Sequence, residues 1–275
     1  MFQALPHLCK ESSAGKKIYY TWFSAMHTRM DFLFVANEAE SFFNEISCKA
    51  FREIAALEKT GNAFDPESEL SFVNAHASAN RVALSPELYD MLRIALDYNK
   101  NTFGLFDITT DSEDYNGKSI DCVQLDTGMH IRFTRPGIKI NLSGFLKGYA
   151  LDRVRLLMAD TPMSGALINM GNSSVMCLGN RDDGVPWKIP CGRKTINYIT
   201  LHDECLTTSG NDTAERNHIV NPNNGKRIFG KRTTTVVTQS GTLGEVLSTA
   251  FFIADEAVRE MLTNKYGTSC ITDYD

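Results

Sequence analysis

The stretch Asn141-Leu142-Ser143-Gly144-Phe145-Leu146-Lys147-Gly148-Tyr149-Ala150-Leu151-Asp152-Arg153 decides how the rest of the chain is read. It follows an alternating run, Gly137-Ile138-Lys139-Ile140, and leads into an apolar repeat at Ala150, Val154, Leu157 and Met158. That order predicts a short strand, a tight polar turn carrying Gly144 and Gly148, and a helix over 147–159. Such a turn aims backbone N–H groups and the positive end of a helix at one spot, which suits phosphate. The plainer reading is a strand-to-helix connection whose glycines serve packing.

On the N-terminal side, residues 1–20 read as an irregular arm and Tyr20 to Val35 as extended, rich in β-branched and aromatic side chains. From Asn37 to Lys59, apolar residues at Ala39, Phe43, Ile46, Ala50, Ile54 and Leu57 form a helical stripe with charge on the other face. Gly61 to Ser71 is polar and turn-rich. A second helix opens at Ser85-Pro86-Glu87, where Ser caps and Pro suits the first helical position, and ends near Asn99-Lys100-Asn101. Val123 to Ile140 predicts a hairpin around Thr127-Gly128.

Past the opening stretch, extended runs follow at Ala166–Met170, Val175–Leu178, Trp187–Pro190, Ile196–Leu201 and Thr233–Thr238. Helical patterns then cover Leu243–Ile253 and Asp255–Asn264. Helices early and strands late fit an α+β protein better than regular βαβ alternation. The division expected is an arm over 1–20 and one domain over 21–275.

A chain of 275 residues with 43% hydrophobic and 22% charged residues can bury a full core. Its formal net charge of −5 and lack of a Lys/Arg cluster argue against nucleic acid as a partner. The seven cysteines, Cys9, Cys48, Cys122, Cys177, Cys191, Cys205 and Cys270, show no CxxC pair or metal-ligand spacing and read as thiols of a reducing compartment. No basic segment followed by an apolar one opens the chain, and no apolar run is long enough to span a membrane. The expectation is a cytoplasmic protein, or an exported one if a leader has been removed.

Three further constellations could carry chemistry. In Gly244-Glu245-Val246-Leu247-Ser248-Thr249, Glu245 and Thr249 share one helix face and offer oxygens of the kind Mg²⁺ accepts, although an acid in a first helical turn also simply stabilises the dipole. Leu206-Thr207-Thr208-Ser209-Gly210-Asn211 precedes Arg216-Asn217-His218-Ile219-Val220-Asn221-Pro222-Asn223-Asn224-Gly225, a turn beside a histidine that serves either as a hydrogen-bonded surface group or in catalysis. Gly104-Leu105-Phe106-Asp107-Ile108-Thr109 sets one acid in an apolar turn, where it caps the turn or faces a ligand.

Taken together, these pieces resemble the ApbE family of FAD:protein FMN transferases, or flavin transferases. The resemblance runs from Ala25-Met26-His27-Thr28, through Glu58, Asp65-Pro66-Glu67-Ser68-Glu69-Leu70-Ser71 and Asn74, to Gly104–Thr109, Gly144–Ala150 and Asn169–Gly179. It continues through Thr208-Ser209-Gly210, His218–Pro222 with Gly225, and Glu245–Ala250. It implies an α+β, T-fold-like architecture of mixed sheets and packed helices with an FAD cleft between lobes. It further implies a flavoprotein that uses Mg²⁺ to move FMN from FAD onto a Thr or Ser hydroxyl of an acceptor protein, releasing AMP.

Carried over position by position, the resemblance puts Met26 and Phe64 against the flavin or adenine rings and Leu105, Phe106 and Asp107 along the pocket. Asn141, Lys147 and Ile219 also fall at FAD-contacting positions. Glu245, Ser248 and Thr249, with backbone oxygen at Gly144 or Leu146, would hold the metal, and His218 would orient the phosphate or the incoming hydroxyl. The chain departs from the family pattern where His27 replaces a Gly, Asn141 an Asp and Glu245 the metal-binding Asp. Two other readings use the same pocket: an FAD pyrophosphatase giving FMN and AMP, and an FAD-binding protein without catalysis.

Overall fold

The computed structural model describes residues 5–191, 197–211, 213 and 217–274; residues 1–4 of the expected arm, Ile196 and Arg216 lie outside the described residues. In chain order come β1 (His7–Glu11), β2 (Lys17–Ala25), β3 (Thr28–Ala36), α1 (Glu40–Gly61), α2 (Glu69–His76), β4 (Val82–Ala83), α3 (Pro86–Asn101), β5 (Val123–Asp126) and β6 (His130–Phe133). Then follow α4 (Leu146–Met158), β7 (Gly165–Met170), β8 (Ser174–Gly179), β9 (Trp187–Cys191), β10 (Asn197–Leu201) and β11 (Glu204–Asn211). The chain closes with β12 (Val220–Asn221), β13 (Lys226–Arg227), β14 (Arg232–Thr238), α5 (Gly241–Ile253), α6 (Glu256–Tyr266) and β15 (Cys270–Tyr274).

An eight-stranded sheet in the order β1-β2-β3-β7-β8-β11-β14-β15 carries the fold, with every neighbouring pair antiparallel. Alternation along the strands sends Tyr19, Thr21 and Phe23 of β2 and Met30, Phe32 and Phe34 of β3 into the core. Helix α1 buries Phe43, Ile46, Ala50, Ile54 and Leu57 there, the stripe its sequence predicts except for Ala39, which is exposed at the N-cap just before the helix begins. Phe43, Ile46, Ile54 and Leu57 each contribute roughly 1.5–3 kcal/mol by leaving water, and Ala50 less. On the opposite face, Trp187 of β9 and Leu201 of β10 cover Val35, Val175, Cys177 and Leu206. All seven cysteines are free thiols.

Ser85 caps α3 as expected, its side chain accepting from the Leu88 N–H. Four regions differ from the sequence reading. The arm is not irregular, because β1 pairs with β2; with four of its five residues exposed it carries no hydrophobic alternation. Helix α2 begins inside the expected loop, where the Ser68 side chain accepts from the Ser71 N–H.

Gly137–Ile140 is not a strand. The Asn74 side chain stands in for a neighbouring strand, donating to the Ile140 carbonyl at 2.9 Å and accepting from its N–H at 2.8 Å. Leu206–Asn211, by contrast, is the interior strand β11. Its hydroxyl-rich sequence hides it, yet Thr side chains pair well across strands, as Thr208 does with Thr235 at 2.9 Å.

These layers set helix α4 against α1 and α5. The Arg153 guanidinium ties α4 to α1 through Glu53 at 2.7 Å and to α3 through Glu87 at 3.2 Å. β2 and β3 meet in a two-residue turn at Met26 and His27, with φ of 50° and 56°, a left-handed geometry that favours glycine and that both side chains here adopt.

Candidate functional site

Helices α4 and α5 cross with their backbones in contact. A Cβ added at Gly148 would collide with the Gly241 carbonyl, and one added at Gly241 would lie 2.6 Å from the Gly148 carbonyl oxygen. This closeness lets Asp152 of α4 cap α5: its carboxylate accepts from the Ser240 hydroxyl at 2.7 Å, the Gly241 N–H at 2.8 Å and the Thr242 N–H at 2.9 Å. The positive end of α5 is therefore already neutralised by the protein. Helix α4 has no such cap, for Phe145 at its N-cap makes no side-chain capping bond.

The turn leading into α4 is less bare than its sequence suggests. The Ser143 N–H donates to the Asn141 side chain at 2.9 Å, and the Phe145 and Leu146 N–H groups donate to the Leu142 carbonyl at 2.9 and 2.8 Å. Gly144 lies exposed within it, and an added Cβ there would meet nothing within 4 Å. Packing does not demand that glycine.

Glu245 is the fifth residue of α5, beyond the first turn in which the sequence reading put it, so it does not serve as a first-turn dipole partner; it is 5% exposed and faces the start of α4. Its Oε1 accepts from the Ser174 hydroxyl and lies 3.8 Å from the Lys147 ammonium. Lys147 in turn donates to Ser173, whose hydroxyl is 3.3 Å from that of Ser174. A buried carboxylate is costly unless it is paired and hydrogen-bonded, and here it has both partners.

One turn further, Ser209 of β11 lies 2.7 Å from the Ser248 hydroxyl and 3.0 Å from that of Thr249, while Ser248 donates to the Glu245 carbonyl at 3.1 Å. The corner thus presents one carboxylate, one ammonium and a wall of hydroxyls. Among the described residues no three His, Cys, Asp or Glu side chains gather to hold a metal by themselves. All-oxygen donors with a single carboxylate fit Mg²⁺, which keeps waters and substrate phosphates in its shell.

A second flank is built from the turn after α3. The Asp107 carboxylate accepts from the Thr109 N–H at 2.7 Å and hydroxyl at 2.6 Å on one oxygen, and from the Tyr115 hydroxyl at 2.8 Å on the other. Burial pushes this carboxyl above its ordinary value, against the hydrogen bonds that pull it down. Asp107 therefore forms the turn. Leu105 and Phe106 are 4% exposed and sit in the core.

Asn141 joins the two flanks. Its N–H donates to the Ile108 carbonyl at 2.8 Å and its side-chain amide to Asp111 at 2.7 Å. The β12–β13 hairpin packs on the same side, since a Cβ at Gly117 would collide with the Pro222 carbonyl. Ile219 is buried where that hairpin begins, and His218 beside it is exposed.

Direct contacts thus bring Glu245, Lys147 and Ser248 together, Ser209 gathers the Ser248 and Thr249 hydroxyls, and a backbone bond joins Asn141 to the Asp107 turn. Met26 is half-buried in its hairpin turn and Phe64 is 67% exposed on the loop after α1; among the described residues no hydrogen bond or ion pair links either side chain to Glu245. Asp111, Asp152, Ser173 and Ser174 take part without having been singled out. Asp152 carried a readable signal, being four residues after Gly148 and so on the face turned to α5.

The model of the ApbE family matches residues 26–115 and 115–272. A curated relative from Vibrio cholerae serotype O1, named FAD:protein FMN transferase, is 22% identical over 231 residues, covering 71% of this chain and 69% of the relative. A relative of the same name from Rhodobacter capsulatus is 27% identical over 144 residues, 47% of this chain and 27% of its own. Among solved structures, the flavin transferase ApbE from Vibrio cholerae superposes with a TM-score of 0.81 at 19% identity, covering 94% of this chain and 93% of that one.

Proposed function

This chain belongs to the ApbE family, and from that premise we propose that it transfers FMN from FAD to a Thr or Ser hydroxyl of an acceptor protein, with Mg²⁺ and with release of AMP. The observation that carries the reading is the buried Glu245 facing Lys147 where α5 crosses α4, with the hydroxyls of Ser248 and Thr249 one turn further on, gathered by Ser209. A pyrophosphate needs its charge matched and its phosphorus held in line with the attacking oxygen, so positioning and electrostatics do most of the catalysis.

Lys147 supplies a fixed positive charge for the pyrophosphate, next to the uncapped start of α4. Glu245, Ser248 and Thr249, with main-chain oxygen at Gly144, would hold Mg²⁺, which supplies charge neutralisation when bound. Asn141 fixes the turn that meets FAD. Met26 and Phe64 lie against its rings; Leu105 and Phe106, being buried, contribute through the backbone, beside Asp107 and Ile219. His218, exposed at the rim, orients the acceptor hydroxyl. The acceptor oxygen bonds to the FMN phosphorus, the P–O bond to AMP breaks, and the hydroxyl proton leaves to solvent.

No helix among the described residues is long and apolar enough to cross a membrane. The test mixes the protein with FAD, Mg²⁺ and a flavin-accepting domain and looks for a fluorescent covalent band on a denaturing gel. Glu245→Ala is expected to lower transfer by about 100-fold or more. No band with several acceptor domains would overturn the reading.

A further inference from the structure

Glu245 is longer by one methylene than the aspartate of the family pattern. Its carboxylate stands about 1.5 Å further from the helix and has one more torsion to fix. Two neighbours determine where the extra length goes. On the α4 side the backbone at Gly148 closes on the side chain, for a Cβ there would lie 2.7 Å from the Glu245 Cγ. On the sheet side stands Ser174, fully buried, whose hydroxyl donates to Oε1.

Ser174 is held by both of its strand neighbours, opposite Met170 on β7 and Thr207 on β11, so its hydroxyl projects from the interior of the sheet. Groups on such a platform move less than groups on loops. Ser173, next to it, takes the Lys147 ammonium, so adjacent hydroxyls hold the anion and the cation of one pair. With Oε1 occupied in this way, Oε2 has no hydrogen-bond partner among the described residues.

We propose that Ser174 is the positioning residue for Glu245: its hydroxyl fixes Oε1 and leaves Oε2 as the oxygen that meets the cation, which makes a glutamate serviceable where the pattern has an aspartate. This rests on the metal-dependent transfer proposed above. An aspartate at 245 would fall short of Ser174 by the missing methylene, so the two positions act as a unit.

The experiment compares wild type, Ser174→Ala, Ser174→Thr, Glu245→Asp and the Ser174→Ala/Glu245→Asp double variant. Mn²⁺ binding is read by electron paramagnetic resonance with FAD present, and FMN transfer is measured against Mg²⁺ concentration. Removing a hydrogen bond to a ligating group typically costs about 10–100-fold in metal affinity, so Ser174→Ala is expected to bind Mn²⁺ about tenfold more weakly and to need correspondingly more Mg²⁺. Its rate at saturating Mg²⁺ should fall by less, and Ser174→Thr, which keeps the hydroxyl, should recover the affinity. In the Glu245→Asp background Ser174→Ala should add nothing further, because the contact is already gone.

Equal Mn²⁺ affinity and equal Mg²⁺ demand in wild type and Ser174→Ala would overturn the role of Ser174 while leaving the transferase reading intact. Full additivity of the two substitutions would also overturn it, as a general loss of packing. A wild-type protein that neither binds Mn²⁺ nor transfers FMN would remove the transferase reading itself, and the role of Ser174 with it.

Discussion

In the resemblance read from the sequence, Glu245 and Asn141 each replace an aspartate, but their surroundings in the structure are opposite. Glu245 is sealed between two helices and the sheet, with a carbon of its side chain against the bare backbone of Gly148 and its carboxylate on Ser174 and near Lys147. Asn141 is half-buried beside the exposed Asp111, held by exchangeable hydrogen bonds to Asp111 and Ser143. In the first corner shape is set by main-chain contacts that cannot move independently, so substitutions act through sterics and desolvation. In the second, solvent screens charge and side chains can trade roles.

The largest expected effect comes from breaking the buried corner at its tightest point. Gly148→Ala drives a methyl group into the Gly241 carbonyl, a backbone atom with no rotamer to escape through. Overpacking of this kind costs about 3 kcal/mol, which for a domain of this size lowers the melting temperature by roughly 6–12 °C. Calorimetry reads it directly. A melt within 2 °C of wild type would mean that α4 and α5 can separate, and the contrast between a rigid and an adaptable corner would fail.

Asn141→Asp probes the other side. At neutral pH it sets a second carboxylate where an amide now donates to Asp111 at 2.7 Å, replacing a hydrogen bond by repulsion. The cost beside the solvent-exposed Asp111 is about 1 kcal/mol, a drop of roughly 2–4 °C, and high salt should recover part of it. Adding Asp111→Asn should restore the pair with donor and acceptor exchanged. Should Asn141→Asp melt like wild type at low salt, the Asn141–Asp111 bond would carry no weight.

The same division marks what the sequence makes legible. The α1 stripe, the Ser85 cap and the shared face of Glu245 and Thr249 follow from local spacing, and the structure has them. Gly137–Ile140 looks like a strand because alternation records that a segment is extended and half-buried; its partner is a single side chain 66 residues away. Strand β1 escapes notice because an exposed edge needs no apolar face. Ser174 could not be singled out at all, since one serine among many gains its meaning only when β8 and α5 are brought together.

Asp107 gives the smallest effect and the finest test, because it combines burial with a full set of hydrogen bonds. Burial raises its carboxyl above the ordinary value of 3.8, more than Thr109 and Tyr115 lower it. The folded protein therefore holds this proton more tightly than the unfolded chain does. Its stabilising contribution is complete below pH 3.8 and disappears as pH rises through the raised value. Asp107→Asn keeps an acceptor for the Thr109 N–H and a donor toward the Tyr115 hydroxyl, but does not titrate. The melting temperature of this variant relative to wild type should climb as pH rises through that window and level off near neutrality. A difference that falls instead would mean that the hydrogen bonds from Thr109 and Tyr115 outweigh the burial of the carboxylate, and that Asp107 is held by its partners and not by desolvation.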